Sequence, residues 1–561
     1  MKKALPLLVG GALVLAMGLS GCGTGNGGHV GADSGAWAVN YQTRDKVKDG
    51  GEFHGSFGSL IKTWNLATST GNDMEMKMMQ SPLGENWYLE DGAGNHTMNP
   101  NYLKSMKDEM VGGKLVLNFT ISDKAVWNDG APITAADWIA TVNALNGTNK
   151  DFDVASSDGW NQIETIVKGA TDKDVTITFK AAYPDWVALF VGGPLRAESC
   201  TDPEVFNNGW TSYNKAWYSG PYIVTDFVES SNTVTMERNP IWWGDKGKLD
   251  KIIFKYVAQE QVATAFANGE LDYMDIGANA DAYMQAKNTP NTEIRQAGGP
   301  NFRHFTFNSK SEVLQDLAVR QAIVMGLDRA AIASSDLAGL PIDDPTKIVK
   351  NSNLFMPGQA GYVDYAEKTG IKYDPEGAKK KLEADGYAMG PDGYYAKNGK
   401  TLELGFSVLT GVAASEGEGR LAQEQLKKIG VKLNLVPVNV STDWPGVLVD
   451  EKFDIIAFSW MGTAFPLMNI GQIYGWPSDS NFAQLSIDKV QELEPKVSTE
   501  NDPAKRLDLA KQVDEAIWTN VHTLPLYQRP ALAAVKAGLA NFGSFGMAQV
   551  PYTWVNVGWA A

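Results

Sequence analysis

The chain has 561 residues, of which 43% are hydrophobic and 20% charged, values that exclude collagen-like, coiled-coil and mostly disordered chains. Its length predicts several lobes with a large core. The formal net charge of −16 comes without any lysine- or arginine-rich run, which argues against nucleic acid as a partner. The 17 tryptophans leave open whether some of these rings bind a ligand.

The N-terminus has the features of an exported lipoprotein. Two lysines precede an apolar stretch over residues 4–17, which is of signal-peptide length and too short for a comfortable membrane span. The tetrapeptide Leu19-Ser20-Gly21-Cys22 resembles a bacterial lipobox, in which the cysteine receives diacylglycerol and becomes the new N-terminus. We predict a signal peptide over residues 1–21 and lipidation of Cys22. A plain secretory signal with a chance cysteine is the alternative.

A glycine-rich segment follows the predicted lipid anchor. Residues 23–37 contain six glycines and few apolar side chains, so we assign residues 22–45 to a lipidated, flexible tether. If Cys22 carries lipid, Cys200 is the remaining thiol and no internal disulfide can form. The protein is then expected on the outer side of the cell membrane, held by its acyl chains.

Apolar periodicity predicts strands in the first half of the mature chain and helices later. Alternation predicts strands at residues 114–121, 174–180, 222–227, 233–237 and 251–257. Asp374-Pro375-Glu376 opens a helix that ends at Gly386, and Asp502-Pro503 opens another. A helix over residues 420–429 ends at Gly430 and is followed by an alternating strand. These elements predict a mixed α/β (α+β) fold in more than one lobe.

Short motifs are spread in order over residues 127–460. They are Trp127-Asn128-Asp129-Gly130-Ala131-Pro132, Ser219-Gly220-Pro221-Tyr222, Glu237-Arg238-Asn239-Pro240 with Trp242-Trp243-Gly244, Ala267-Asn268-Gly269-Glu270-Leu271-Asp272, Asp316-Leu317-Ala318-Val319-Arg320-Gln321-Ala322-Ile323 with Leu327-Asp328-Arg329, Tyr373-Asp374-Pro375-Glu376, and Phe453-Asp454 with Trp460. In this order the motifs resemble the bacterial extracellular solute-binding proteins of family 5, the peptide and nickel receptors of ABC importers. Most of these residues are turn formers and anchors, so they indicate the fold and not the ligand.

The resemblance implies a periplasmic-binding-protein-like type II fold with three lobes and a hinged clamshell. Transferred to this chain, lobe I comprises residues 46–75, 196–297 and 521–561. Lobe II comprises residues 76–195 and lobe III residues 298–520. Closure of lobe III on lobe I would enclose the ligand.

In peptide-binding members of the family the peptide lies extended in the cleft and pairs with protein strands. The resemblance places residues 64–72 of lobe I and residues 459–466 of lobe III at this cleft. The candidate ligand-binding residues are Asn65, Ser69, Thr70, Gly71, Trp460, Met461, Gly462, Thr463 and Phe465, with Trp444 as a further cleft wall. Peptide receptors usually carry an aspartate at the position of Thr463, where it pairs with the peptide ammonium. A hydroxyl cannot supply that charge-assisted bond, so a longer or blocked peptide suits Thr463 better.

The function implied by the resemblance is that of an importer receptor and not of an enzyme. A monomer without cofactor or metal would capture oligopeptides and deliver them to permease subunits served by a separate ATPase. An oligosaccharide stacked on tryptophans and a nickel complex are alternatives for the same role, although the five histidines are scattered. A surface-anchored glycoside hydrolase is the alternative from another class, and it would need two carboxylates at a set separation.

Overall fold

The computed structural model describes residues 37–410, 412–439, 443–478 and 480–561. The predicted signal peptide, Cys22 and residues 23–36 of the predicted tether lie outside these ranges. Among the helices of the described ranges, none combines the length and the apolar character that a bilayer span requires.

Runs of strands and runs of α-helices follow one another along the described chain. The strands are β1 (Glu52–Phe57), β2 (Tyr88–Glu90), β3 (His96–Met98), β4 (Leu103–Val111), β5 (Lys114–Ile121), β6 (Ile163–Lys168), β7 (Asp174–Phe179), β8 (Tyr222–Val228), β9 (Thr233–Arg238), β10 (Lys251–Tyr256), β11 (Tyr273–Asp275), β12 (Thr292–Phe307), β13 (Ala388–Met389), β14 (Tyr395–Lys397), β15 (Lys400–Thr401), β16 (Glu403–Thr410), β17 (Lys432–Asn439), β18 (Ile455–Trp460), β19 (Thr523–Lys536), β20 (Leu539–Ala540) and β21 (Gly558–Trp559). The α-helices are α1 (Met74–Gln80), α2 (Ala135–Leu145), α3 (Val187–Phe190), α4 (Ala197–Cys200), α5 (Pro203–Asn208), α6 (Val262–Ala267), α7 (Ala280–Lys287), α8 (Leu317–Gly326), α9 (Arg329–Asp336), α10 (Tyr365–Thr369), α11 (Pro375–Ala384), α12 (Ala413–Lys428), α13 (Trp444–Val449), α14 (Ile470–Tyr474), α15 (Asp488–Thr499) and α16 (Pro503–Asn520).

Local sequence signals account for many of these boundaries. The Asp374 carboxylate accepts a hydrogen bond from the Gly377 amide at the start of α11, and Asp502 caps α16 in the same way. The strands predicted from alternation are confirmed as β5, β7, β8, β9 and β10, and the predicted helix–strand pair is confirmed as α12 and β17. The mixed α/β class is confirmed as well.

Separate sheets with separate apolar cores form the bodies that we call lobes I, II and III. Lobe I is built on the sheet β1-β10-β9-β8, and lobe II on the sheet β4-β5-β7-β6. Lobe III is built on the sheet β11-β19-β12-β18-β16-β17, against which α9 and α12 pack. A second apolar cluster in lobe III lies between α14, α15 and α16. The residue boundaries of the lobes stay predictions.

Two long strands run through the sheet of lobe III and connect it to lobe I. From Thr292 to Gly298, β12 pairs with the end of β19 near lobe I, and from Phe302 onward it pairs with the start of β19 and with β18. Between these two ladders, residues 299–301 of β12 oppose Arg529 alone. Such a bulge bends a strand and interrupts its ladder, which makes this position the natural hinge.

The end of the predicted tether is part of the folded body. The Ala38 amide donates to the Ser544 carbonyl at 2.8 Å, and the Gln42 amide donates to Asn541 Oδ1 at 2.9 Å. Val39 is buried. The assignment of residues 38–45 to a flexible tether is therefore wrong, because these residues pair with the C-terminal segment of lobe I.

Candidate functional site

The end of β18 lies where the hinge strands meet lobe III. β18 pairs with β12 as far as Trp460, which lies opposite Phe302. On its other edge, β18 pairs with β16 only at Ile455 and Ile456. Ser459 and Trp460 therefore extend beyond the ladder with β16.

Gly462 is held between the hinge and the C-terminal segment of lobe I. Its amide donates to Asn301 Oδ1 at 3.1 Å, and its carbonyl accepts a hydrogen bond from Gln549 Nε2 at 2.9 Å. A Cβ atom at this position would lie 2.3 Å from the Pro300 carbonyl oxygen. Glycine is thus required for the close approach of this segment to the hinge.

A cavity of about 40 Å³ opens beside this segment. Four of the predicted site residues, Trp460, Met461, Gly462 and Thr463, share it. The other lining residues are Pro300, Phe302, Asn353, Leu354, Met356, Gln359, Pro466, Asn469, Ile473, Tyr474 and Met547. Among the described residues that line this cavity, none carries a charge. Most of the lining comes from lobe III, while Pro300 belongs to the hinge and Met547 to the C-terminal segment.

Trp460 is half-buried and surrounded by aromatic rings of its own lobe. Its indole is nearly parallel to the rings of His304 and Phe482, with ring centroids 5.9 Å apart in both cases, and Phe458 meets it at a steep angle. The indole Nε1 is buried and has no hydrogen-bond partner among the described residues. Much of the aromatic surface of Trp460 is therefore used for packing, and only the remainder faces the cavity.

A buried charged pair lies behind the cavity wall. Lys350 Nζ lies 4.4 Å from the centroid of the Phe302 ring and donates to the carbonyls of Ser352 and Asn353. Burial lowers the pKa of Lys350, and the nearby carboxylate of Asp514 opposes this shift. Burial likewise raises the pKa of Asp514. Neither Lys350 nor Asp514 lines the cavity.

Phe465 has a different partner from the one predicted. Its ring stacks on the imidazole of His96 in lobe II, with centroids 4.5 Å apart and planes at 27°. The exposed Thr463 hydroxyl accepts a hydrogen bond from the Phe465 amide at 3.2 Å. The side chain of Phe465 is thus a contact between lobes III and II, and its assignment as a ligand contact stays a prediction.

The lobe I stretch at residues 64–72 forms turns and no strand. Asn65 is fully buried, and its side-chain amide donates to the Phe206 carbonyl at 2.9 Å and accepts from the Ala67 amide at 3.0 Å. A Cβ atom at the buried Gly71 would lie 1.9 Å from the Asn65 carbonyl oxygen, so Gly71 is required by the turn. The polar groups of Asn65 are satisfied internally, and the assignment of Asn65 and Gly71 as ligand contacts stays a prediction.

The structure says less about the role of the remaining predicted residues, Ser69, Thr70 and Trp444. Ser69 and Thr70 are exposed, and the Ser69 hydroxyl donates to Asp153 Oδ1 at 2.7 Å. Trp444 begins α13, but its side chain lies outside the described part of the structure. These three assignments stay predictions.

Several cavity residues were not found from the sequence. Phe302 follows a Gly-Gly-Pro sequence inside a strand pattern, which is a recognisable hinge signal. Asn353, Met356, Asn469 and Met547 come from distant loops, and no local pattern marks them. They reach the cavity only through the folding of lobe III and of the C-terminal segment.

The comparison with protein families decides the identity of this arrangement. Residues 97–482 match the bacterial extracellular solute-binding proteins, family 5 Middle. The chain belongs to this family. The predicted type II periplasmic-binding fold is confirmed, and this family 5 protein is a substrate-binding receptor for an ABC importer, not an enzyme. The glycoside hydrolase alternative is thereby excluded.

Three relatives show the range of this family. The oligopeptide-binding protein OppA of Mycobacterium tuberculosis is 32% identical over 518 residues, which cover 92% of this chain and 86% of that protein. The structure of the periplasmic EDTA-binding protein EppA has a TM-score of 0.85 at 26% identity and covers 93% of this chain and 98% of its own. The oligopeptide-binding protein AppA of Bacillus subtilis, solved with a nonapeptide, has a TM-score of 0.74 at 20% identity, covering 92% and 100%.

Lobe III of this family 5 protein is in contact with lobe II at the mouth of the cleft. Arg506 of α16 forms a two-pronged ion pair with Asp185 of lobe II, in which Nη1 donates to Oδ1 at 2.9 Å and Nη2 donates to Oδ2. Arg506 Nε donates to the Val497 carbonyl, which orients the guanidinium. Both side chains are largely buried. This ion pair and the stacking of Phe465 on His96 join lobe III to lobe II.

Proposed function

We propose that this receptor binds oligopeptides and is held on the outer face of the cell membrane by a lipid on Cys22. It acts as a monomer and delivers its peptide to membrane permease subunits. The names of OppA and AppA, which are oligopeptide-binding proteins, support the peptide ligand. The lipobox-like tetrapeptide supports the anchor.

The observation that carries the peptide assignment is the position of Ser459 and Trp460 at the end of β18. Their backbone extends past the ladder with β16, next to a cavity, and continues into the exposed Met461. An extended peptide can add to such an edge through main-chain hydrogen bonds, which tolerate many side chains. Thr463 offers no carboxylate for a peptide ammonium, so we expect blocked and free N-termini to bind equally well.

Two observations disfavour the other ligands considered. A sugar ring would need an open aromatic face, whereas His304 and Phe482 lie against the indole of Trp460. A nickel complex or an anionic chelate would need histidine or cationic partners, whereas the lining of the cavity is uncharged. In the described ranges, no group of three or more His, Cys, Asp or Glu side chains is arranged to hold a metal ion.

Native mass spectrometry of protein purified without denaturation tests the proposal. We expect a series of bound masses that fragment as peptides. A bound mass that fragments as a sugar, or a metal chelate in its place, would contradict the peptide assignment. The mass of the N-terminal fragment from membrane-extracted protein tests the anchor. Lipidation of Cys22 adds the mass of diacylglycerol to this fragment, and cleavage of the signal peptide removes residues 1–21.

A further inference from the structure

We propose that the cavity beside Trp460 is a subsite for one uncharged side chain of the bound peptide, and that Asn469 is a specificity-determining residue of this subsite. The inference rests on the proposed function, because it assumes that the ligand is a peptide lying along Ser459 and Trp460. It adds a chemical preference that main-chain pairing cannot supply.

The chemistry of the lining excludes a charged side chain. Ten of the lining residues have apolar side chains. The polar ones are the neutral Asn353, Gln359, Thr463 and Asn469, and the remaining residue is Gly462. A lysine or glutamate side chain that enters this space leaves water and finds no opposite charge there. Burial of an unpaired charge is strongly unfavourable in proteins, whereas an aliphatic group is stabilised by each CH₂ that it buries.

The size of the cavity fits one side chain and not a folded ligand. A volume of about 40 Å³ has room for about three waters, which is comparable with an aliphatic side chain of ordinary length. Met356, Met461 and Met547 line the space from three different segments. Methionine is flexible and polarizable, so these walls can adapt to aliphatic side chains of different shape.

The nearest buried charge also disfavours a cation in the subsite. The Lys350 side-chain nitrogen lies against the Phe302 ring, which itself lines the cavity, and the carboxylate that acts on it is that of Asp514. Asp514 is already used, since it accepts hydrogen bonds from the Ser352 hydroxyl and the Asn353 amide. It is not available to a peptide lysine.

Asn469 is the residue at which this preference can be reversed without disturbing the fold. It is half-buried, lines the cavity and precedes α14, where its side chain makes no capping hydrogen bond. Asparagine and aspartate are equally good at such a helix start. Asn469→Asp therefore adds one carboxylate to the cavity at nearly constant shape and helix stability. Asn288→Asp, at an exposed position after α7 in lobe I, is the matched control.

The test uses nonapeptides of serine and alanine in which each position in turn carries Leu, Gln, Lys or Glu. Isothermal titration measures their affinity for the wild type, Asn469→Asp and Asn288→Asp. We expect one peptide position at which the wild type prefers Leu and Gln over Lys and Glu by about tenfold or more. At that position, Asn469→Asp should reduce the ratio of Leu to Lys affinity by about tenfold, and Asn288→Asp should leave it unchanged.

The outcomes separate the subsite from the proposed function. If peptides bind but every position accepts charged side chains, or if Asn469→Asp leaves the ratio of Leu to Lys affinity unchanged, the subsite assignment is overturned and peptide binding stands. If none of the three proteins binds any of these peptides while sugars or chelates bind, the proposed function itself is overturned.

Discussion

The two stretches that the family resemblance places at the cleft differ in how their polar groups are used. In residues 64–72, Asn65 is fully buried and bonded on both sides of its amide. In residues 459–466, Met461 is 54% exposed, and Ser459 and Trp460 run past a neighbouring strand. The first stretch bonds to α5 within lobe I, while the second presents backbone and side chains at the hinge.

This difference teaches that a cleft position predicted by resemblance becomes a binding position only where the fold leaves polar groups available. Turn residues such as Gly71 satisfy their own backbone and serve the lobe. The segment after β18 connects a strand to a helix and exposes Met461, while the backbone of Gly462 is bonded to Asn301 and Gln549. The predictions below test this division between a structural stretch and a binding stretch.

The largest effect is expected for Trp460→Ala. The change removes the ring that joins β18 to the cavity, and truncation of such a central aromatic costs about 2–4 kcal/mol of binding free energy. Titration with a copurified peptide measures it. Trp476→Ala, at an exposed tryptophan of the same lobe, is the matched control and should bind like the wild type. Equal affinities of Trp460→Ala and wild type would remove Trp460 from the site.

Asn65→Ala should act on stability and not on the intrinsic affinity. The Phe206 carbonyl loses its buried donor, which costs about 1–3 kcal/mol of unfolding free energy. Urea unfolding and peptide titration at low temperature separate the two quantities. If the variant unfolds like the wild type but binds peptide poorly, the expectation is contradicted and residues 64–72 belong to the ligand site.

Arg506→Ala should weaken the binding of every ligand by a similar factor, because it removes a contact that exists only when lobes II and III meet. The two-pronged, largely buried pair with Asp185 is expected to contribute about 1–2 kcal/mol to closure. A double-mutant cycle with Asp185→Ala measures the coupling in peptide affinity. Additive effects of the two changes would show that the pair does not couple to closure.

His522 makes the stability of lobe III depend on pH. Burial lowers the pKa of His522 to about 3, and the charge of Arg320 adds to this effect. The unfolded chain therefore binds a proton below about pH 6.5 that the folded chain does not, so stability falls as pH falls from there toward 3. In the His522→Gln variant the free energy of unfolding should fall less steeply as the pH falls, by about 1.4 kcal/mol per pH unit. Urea unfolding between about pH 6 and 4 measures this slope. An unchanged slope would contradict the assignment.

Ser69→Ala should have the smallest effect. The exposed hydroxyl bonds to an exposed carboxylate, so stability should change by less than about 0.5 kcal/mol and affinity should be unchanged. A clear loss of affinity in titration would show that this turn meets the ligand after all.

Much of the fold followed from local sequence signals. Alternation predicted β5 and β7, and the Asp374 and Asp502 caps predicted α11 and α16, because these patterns act within a few residues. The site was predicted in part. Trp460 to Thr463 were found through resemblance, whereas Asn353, Asn469 and Met547 were not, since their convergence depends on long-range packing. The internal hydrogen bonds of Asn65 were not predicted for the same reason, because only the folded structure brings the Phe206 carbonyl to its amide.

Hydrogen–deuterium exchange with and without saturating peptide compares the two stretches in one experiment. We expect strong additional protection of the amides of residues 459–461 and 463 on binding, because a peptide strand would cover them, whereas the Gly462 amide is already bonded to Asn301. We expect no change in residues 64–72, most of whose amides are bonded within lobe I. Protection of residues 64–72 without protection of residues 459–463 would contradict the account.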